Sequence, residues 1–494
     1  MSALARTPAL AAALAVALAG PAGADEYDLP PLGGVGDRDC AAAAAPPPPA
    51  ARAAQGVNVR STIARYERGG FISSEDAAAF RAAYAEALRV RRRLSGQRRS
   101  ELSAVIDQLE AFARRGDLTA SRLPILFLQL ERNAQHWARS GPPVRRGPQP
   151  KVRPCTGGTG NPDTRRQFGD DPVVFQWYPG QGLQIQQLAT AGKVNALAKA
   201  CLEPDETEAE CDPEQFRRGV DRLVFLAANR GFLAWEYYFA FGGGSPPWIS
   251  GLAQATAMQA LSRGARYFQD PRYLDVARRA LGAFRTGPPR GVRVRAGAGN
   301  HYLIYSFDSG LRVLNGFLQS LVGLYDYAEA ADDDRARALF RAGDRRARQE
   351  VPGHDTGAWS LYSAGGNESD LGYHRLLRDF LQSLCDRVQA NPYCSTAERF
   401  TRYMTERTRL KIHRVTAPRP GRTAVVTFSL SKLSCVTLRV RRDGRLVSTQ
   451  VRVLGRGTRS LAWVPRRRGE HTVQVQAVDL VSHYTRAERT VRIR

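Results

Sequence analysis

Tyrosines and histidines are side chains of this chain that could move a proton without a cofactor, Tyr305, Tyr362, Tyr373 and His374 among them. A phenol acts as base or acid when nearby charge lowers its pKa or holds it in place. The adjacent Tyr373 and His374 are a pair suited to proton abstraction. The plainer reading makes Tyr302, Tyr305, Tyr325 and Tyr327 core or rim aromatics, and His374 a satisfied structural residue. No P-loop, dinucleotide fingerprint, HExxH motif or nucleophile elbow is present. His301 and His354 have no metal-like partners, and no cofactor or metal is expected.

The elements that must position these residues are mainly helical. From Val57 to about Arg139 apolar residues recur at helical spacing, and Ser73-Ser74-Glu75-Asp76 opens one helix. Gly141–Pro162 reads as a boundary loop. Between residues 170 and 410, Leu183–Leu202, Phe216–Asn229, Ile249–Tyr267 and Leu274–Phe284 carry helical spacing. So do Leu311–Ala328, Arg335–Glu350, Tyr373–Gln389 and Ala397–Leu410. Successive helices joined by aromatic, polar loops predict an (α/α) toroid with its site at the mouth. After Ala417-Pro-Arg-Pro-Gly421 the period becomes two, and six short strands follow. Asp443-Gly444 is a hairpin signal, and the region 420–494 predicts a small Ig-like β-sandwich.

The formal charge is +25, and only five of the 72 basic residues are Lys. Arginine forks match carboxylate, sulfate or phosphate, so a polyanion partner is expected unless the excess is merely spread over solvated faces. Arg6, the apolar run Leu10–Leu18 and Ala22-Gly23-Ala24 predict a signal peptide cleaved after Ala24, hence an exported protein. Residues 25–56 read as an Ala/Pro-rich linker and 57–140 as a helical region preceding the toroid of 155–412. No stretch is long enough to span a membrane. Export permits disulfides, with Cys201–Cys211 and Cys385–Cys394 preferred and Cys40–Cys155 as a third pairing. No nucleic-acid motif is present.

Several blocks resemble one family. They are Tyr178-Pro-Gly-Gln-Gly-Leu-Gln-Ile-Gln-Gln187, Pro247-Trp-Ile-Ser-Gly-Leu-Ala-Gln254, Tyr302-Leu-Ile-Tyr305 and VLNGFLQSLVGLYD at Val313–Asp326. Asp355-Thr-Gly-Ala-Trp-Ser-Leu-Tyr362 and Gly372-Tyr373-His374 complete the set. Together, over roughly residues 170–405, they resemble the catalytic domain of the D-glucuronyl C5-epimerase family. The resemblance implies removal and return of the C5 proton of a uronate within a polysaccharide, with Tyr305, Tyr362, Tyr373 and His374 as catalytic positions. It implies substrate contacts at Tyr178, Gln184, Trp248, Gln254, Tyr302 and Asn315, an acidic polysaccharide as partner, and a homodimer as one admissible assembly. Trp248 would be a stacking platform on this view, and core packing on the plainer one. Three departures from the family pattern stand out: Leu303-Ile304 replace a Glu-Glu, Gly365 an Arg, and Gly372 an Asp. Two other outcomes use the same scaffold: a lyase that expels the C4 substituent after the same abstraction, and a non-catalytic polysaccharide binder.

Overall fold

A computed structural model describes residues 57–143 and 164–494. The expected signal peptide and linker lie outside these residues, as do Cys40, Cys155 and most of the expected boundary loop. About half of the described residues are helical. Four helices come first: α1 (Val59–Arg68), α2 (Ser74–Arg93), α3 (Gly96–Arg115) and α4 (Leu123–Arg139). The expected cap at Ser73 forms, its Oγ accepting the Asp76 N–H at 3.0 Å.

Strands β1 (Arg165–Arg166), β2 (Phe175–Tyr178) and β3 (Gly182–Ile185) make a small antiparallel sheet. Helices α5 (Gln187–Leu202) and α6 (Pro213–Phe225) follow. A second sheet contains β4 (Ala227–Asn229), β5 (Leu233–Tyr237) and β6 (Trp248–Ile249). Next come α7 (Gly251–Phe268), α8 (Arg272–Ala280), α9 (Gly282–Arg285) and the hairpin β7 (Arg293–Ala296) with β8 (Gly299–Tyr302). Helices α10 (Leu314–Ala331), α11 (Asp334–Glu350), α12 (Leu371–Val388) and α13 (Asn391–Thr405) end the helical part. The expected helices at Leu183 and Phe216 each include a short strand instead: β3 before α5, and β4 after α6. Strand β3 is buried throughout, and a short buried apolar run has the same sequence signature in either conformation; in β4 only Ala228 is buried.

Seven strands close the chain: β9 (Leu410–Val415), β10 (Ala424–Leu430), β11 (Ser434–Arg442), β12 (Arg445–Leu454), β13 (Gly457–Trp463), β14 (Gly469–Asp479) and β15 (Tyr484–Ile493). They form one sheet of order β13-β10-β9 and another of order β12-β11-β14-β15. Alternate residues of both sheets, Val426 and Phe428 from one and Val436, Leu438 and Val475 from the other, share a single buried core, which makes this region a β-sandwich. Strand β9, whose first residue Leu410 was expected to end a helix, pairs with β10. The Asp443-Gly444 turn has φ of 49° and 75°, the left-handed pair that a two-residue hairpin of this hand requires.

The backbone divides into two compact units, one of residues 57–143, 164–312 and 319–346, the other of 313–318 and 347–494. Within the first, α10 approaches α7 so closely that a Cβ on Gly323 would lie 2.3 Å from the Ala255 carbonyl oxygen. Disulfides join Cys201 to Cys211 and Cys385 to Cys394. Cys435 is also disulfide-bonded. Among the described residues no helix is long and apolar enough to cross a membrane.

Candidate functional site

In the first unit the expected residues gather in an aromatic cluster. Strand β5 presents Tyr237, and β6 lays Trp248 flat against it at 4.2 Å between ring centroids. Phe241 stacks on the same indole at 5.9 Å, and the Phe307 and Tyr305 rings meet it edge-on at 5.3 and 5.7 Å. Tyr178 stacks on Phe239 at 4.1 Å, and its hydroxyl accepts from Gln186 Nε2. Each such pair contributes about 0.5–1.5 kcal/mol beyond the area it buries. Trp248 is 1% exposed and its indole N–H donates to the Phe239 carbonyl at 2.8 Å. Its faces are covered, so it packs this cluster and offers no platform to a sugar. Tyr305 is fully buried in the same cluster, its ring parallel to Phe307 at 5.3 Å.

Other expected contacts tie backbone. The Gln254 amide donates to Trp235 O at 2.9 Å and accepts from Trp235 N at 3.2 Å, holding β5 to α7. Tyr302 donates to Leu339 O at 2.7 Å, and burial pushes its phenol well above the usual range. Gln184 is fully buried and donates to Gln181 O. Gln254 and Tyr302 are therefore buried ties to backbone, while Gln184 keeps a buried Oε1 without a hydrogen-bond partner. A side chain's type and spacing carry no record of which backbone group it finds.

The same unit holds a charged centre absent from the expected set. Glu236, in the middle of β5 and fully buried, receives both Nε and Nη2 of Arg122 at 2.7 and 2.8 Å. Arg230 approaches it to 3.1 Å, and the Tyr238 hydroxyl donates to it at 3.1 Å. Burial lowers the Arg230 pKa, while for Arg122 the bonds and charge of Glu236 outweigh burial and raise it. A lone carboxylate inside the apolar run Leu233-Ala-Trp-Glu-Tyr237 was the available signal, because a strand buried on both faces tolerates a charge only when it is paired. A separate cavity of 330 Å³, lined by Asn229, Phe232, Arg278, Arg279, Arg285 and Arg335 among others, includes none of the expected site residues.

In the second unit, residues 355–370 fold back on themselves through bridges between Asp355 and Ser360 and between Leu361 and Glu368. The turn at its tip needs glycine, since Gly365 has φ of 70°. An arginine, the family's residue here, would strain this turn. Asp370 then caps α12, its Oδ1 accepting the Tyr373 N–H at 2.8 Å. This arrangement sets the Tyr362 ring edge-on to Tyr373 at 5.2 Å. Tyr362 is 8% exposed and its hydroxyl has no hydrogen-bond partner. Burial, aided by the charge of Asp370, pushes its pKa far above the usual phenol range, so it stays protonated. Burial also raises Glu368 and Asp370; Glu368 Oε2 accepts the Arg456 N–H at 3.3 Å, and its Oε1 is buried and unpartnered. Asn315 is 3% exposed, its Oδ1 accepting the Gly316 N–H. Asp308, in the first unit, closes a turn by accepting from Gly310 and Leu311.

His374 is fully buried, parallel to Trp359 at 3.6 Å, with both ring nitrogens engaged. Nε2 faces the Phe400 carbonyl at 3.0 Å, which can only accept, so Nε2 carries the proton. Nδ1 then accepts from Ser360 Oγ at 2.8 Å. Burial pushes its pKa down to about 3. A ring so fixed positions the 355–370 segment and is not free to exchange protons with a substrate. The unfolded chain protonates His374 near 6.5 and the folded one near 3, so the stability it confers is complete above pH 6.5 and falls as pH drops towards 3. That loss is expected to run at about 1.4 kcal/mol per pH unit inside the window. Urea unfolding at several pH values would show it, and a His374→Gln chain should have a correspondingly flatter profile; equal slopes would refute the assignment.

Comparison with known proteins supplies the context. Residues 229–402 match the family described as D-glucuronyl C5-epimerase C-terminus. A D-glucuronyl C5-epimerase of Caenorhabditis elegans is 35% identical over 130 residues, covering 24% of this chain and 21% of that one. This chain thus spans about a fifth of that relative's length. An uncharacterized protein of Methanocaldococcus jannaschii is 26% identical over 220 residues, covering 40% of this chain and 71% of that one. Among solved structures, cellobiose 2-epimerase from Spirochaeta thermophila overlaps 62% of this chain and 72% of its own, at 13% identity and a TM-score of 0.36, too low to carry an argument. The VLNGF block and the Tyr-His pair both lie inside residues 229–402, the part of the chain that matches the D-glucuronyl C5-epimerase C-terminus family.

Proposed function

We propose that the chain is an exported D-glucuronyl C5-epimerase-like isomerase that removes and returns the C5 proton of a uronate within an acidic polysaccharide. The observation that carries the reading is the buried, unpartnered and neutral Tyr362 hydroxyl inside the family-matched residues. A C5–H α to a carboxylate is very weakly acidic, and inversion needs a base on one face and a donor on the other. A phenol kept protonated is a donor, so Tyr362 returns the proton. The base comes from the carboxylates of Glu368 and Asp370, both raised by burial towards the range where a carboxylate accepts a proton readily. Tyr373 supports the Tyr362 ring, and Tyr305 is the third phenol whose role the reading must sort. Export is supported by the disulfides, which fit an oxidising compartment. An (α/α) toroid over 155–412 and an Ig-like 420–494 belong to the same proposal.

A binder without catalysis has one observation in its favour: Leu303 and Ile304, where the family carries two carboxylates, are buried and apolar. Incubating glucuronate polymers with the protein in heavy water and following them by NMR separates the readings. Deuterium at C5 in an intact chain is the expected result. Unsaturated ends would make the protein a lyase, and binding without exchange would make it a binder.

A further inference from the structure

The positive charge of this chain is not spread evenly. Residues 410–494 hold 19 Lys and Arg against four Asp and Glu, a net +15 of the chain's +25. Within the sandwich this charge concentrates at one end. The Gly421 N–H donates to the Pro465 carbonyl at 2.8 Å, which joins the loop carrying Arg419 and Arg422 to the loop carrying Arg466-Arg467-Arg468. Gly469 follows directly; a Cβ on it would lie 3.4 Å from Arg442 Nε, which brings in the hairpin of Arg442 and Arg445. In register with Glu470 stands Arg492, two residues before the terminal Arg494. Two carboxylates face this group: Asp443, 3.4 Å from Arg442, and Glu470. Arg466, Arg467 and Arg468 are all exposed and make no ion pair among the described residues.

Like charges closer together than the screening length, about 8 Å at physiological salt, repel. Stability does not require them, because the sandwich core is apolar and complete without them. We infer that this tip of the sandwich is a docking site for a polyanionic chain, and that its occupant is a uronate polysaccharide. Guanidinium forks bind carboxylates in a bidentate manner, and the chain uses Arg almost to the exclusion of Lys. Single-stranded nucleic acid is held by aromatic stacking as well as charge. This tip lacks stacking aromatics: Phe428 and Trp463 are in the core, and Tyr484 pairs with Val478 at the other end of its strand. The choice of a uronate polymer rests on the C5-epimerase reading; the existence of the site rests on the charge and the three joined loops. A polymer held there is kept at high local concentration for the rest of the chain.

The test uses the full chain and a fluorescent glucuronate homopolymer, read by anisotropy. Arg466→Ala/Arg467→Ala/Arg468→Ala is expected to weaken binding about tenfold, since exposed pairs contribute a few tenths to one kcal/mol each. A control that removes the same charge from exposed positions of α2 and α3, Arg92→Ala/Arg93→Ala/Arg99→Ala, is expected to stay within about twofold of the parent. Equal losses in both variants, or no binding by the parent chain, would overturn the proposal. So would DNA duplex or phosphatidylserine vesicles binding as tightly as the polymer. C5 exchange on a short oligosaccharide is measured in parallel. If exchange is absent but the loop variant alone loses polymer binding, the docking site stands and the catalytic reading falls.

Discussion

Tyr362→Phe is expected to lower C5 proton exchange by about 10²–10⁴-fold, the usual contribution of a positioned acid. The same change should leave the fold as stable or more stable. An unsatisfied buried hydroxyl costs about 1–3 kcal/mol, and phenylalanine removes it without changing the shape of the ring. Activity and stability moving in opposite directions is a signature that a structural tyrosine does not give. Tyr302→Phe provides the contrast, because that hydroxyl bonds Leu339 O and its loss should cost stability with little effect on exchange at equal folding. If Tyr362→Phe melts higher and exchanges C5 protons at the parental rate, the hydroxyl is idle and the proposed donor is wrong.

The largest stability effect is expected at Glu236. Its alanine variant leaves Arg230 buried with no counter-charge and Arg122 with only Asp117, 3.9 Å away, and breaking such a buried pair costs about 3–5 kcal/mol. Urea midpoints would report it directly. Glu236→Gln keeps shape and one accepting oxygen, so it should fall between parent and alanine. Combining Arg122→Met with Glu236→Leu removes the bidentate pair together, and apolar replacement of a buried pair is often neutral. The double variant should therefore be more stable than Glu236→Ala, which additive losses would contradict. An alanine variant within about 1 kcal/mol of the parent would mean that water or another group already compensates the charges.

What could be read beforehand divides by range. Caps and turns are local, so Ser73 and the Asp443-Gly444 hairpin were legible from a few residues each. The Cys201–Cys211 and Cys385–Cys394 bridges close short loops and were legible for the same reason. The sandwich announced itself through alternation, most plainly in β10 and β11, each of which buries one face. Strands β3 and β5 are buried on both faces, lose that alternation, and merged with neighbouring helices or passed unseen. In the site, residue types were legible and their engagements were not. Whether Trp248 offers a face depends on Tyr237 and Phe241, and whether His374 is free depends on Phe400, 26 residues further along the chain. The Arg122–Glu236 pair spans 114 residues, and neither partner suggests the other in sequence.

The buried Lys432, at the start of the β10–β11 turn, has a further meaning. Its ammonium donates to the carbonyls of Tyr403 and Glu406 at the end of α13 and lies 3.7 Å from Asp479. Arg456, from the turn between β12 and β13, holds Glu368. A recombination event that swapped the sandwich for another module would strip α13 of its closing cation and Glu368 of its backbone donor in one step. Exchange of this region between genes should therefore be selected against at the junction near residue 415. The sandwich would be inherited with residues 347–412, as a fused partner and not as an interchangeable bead.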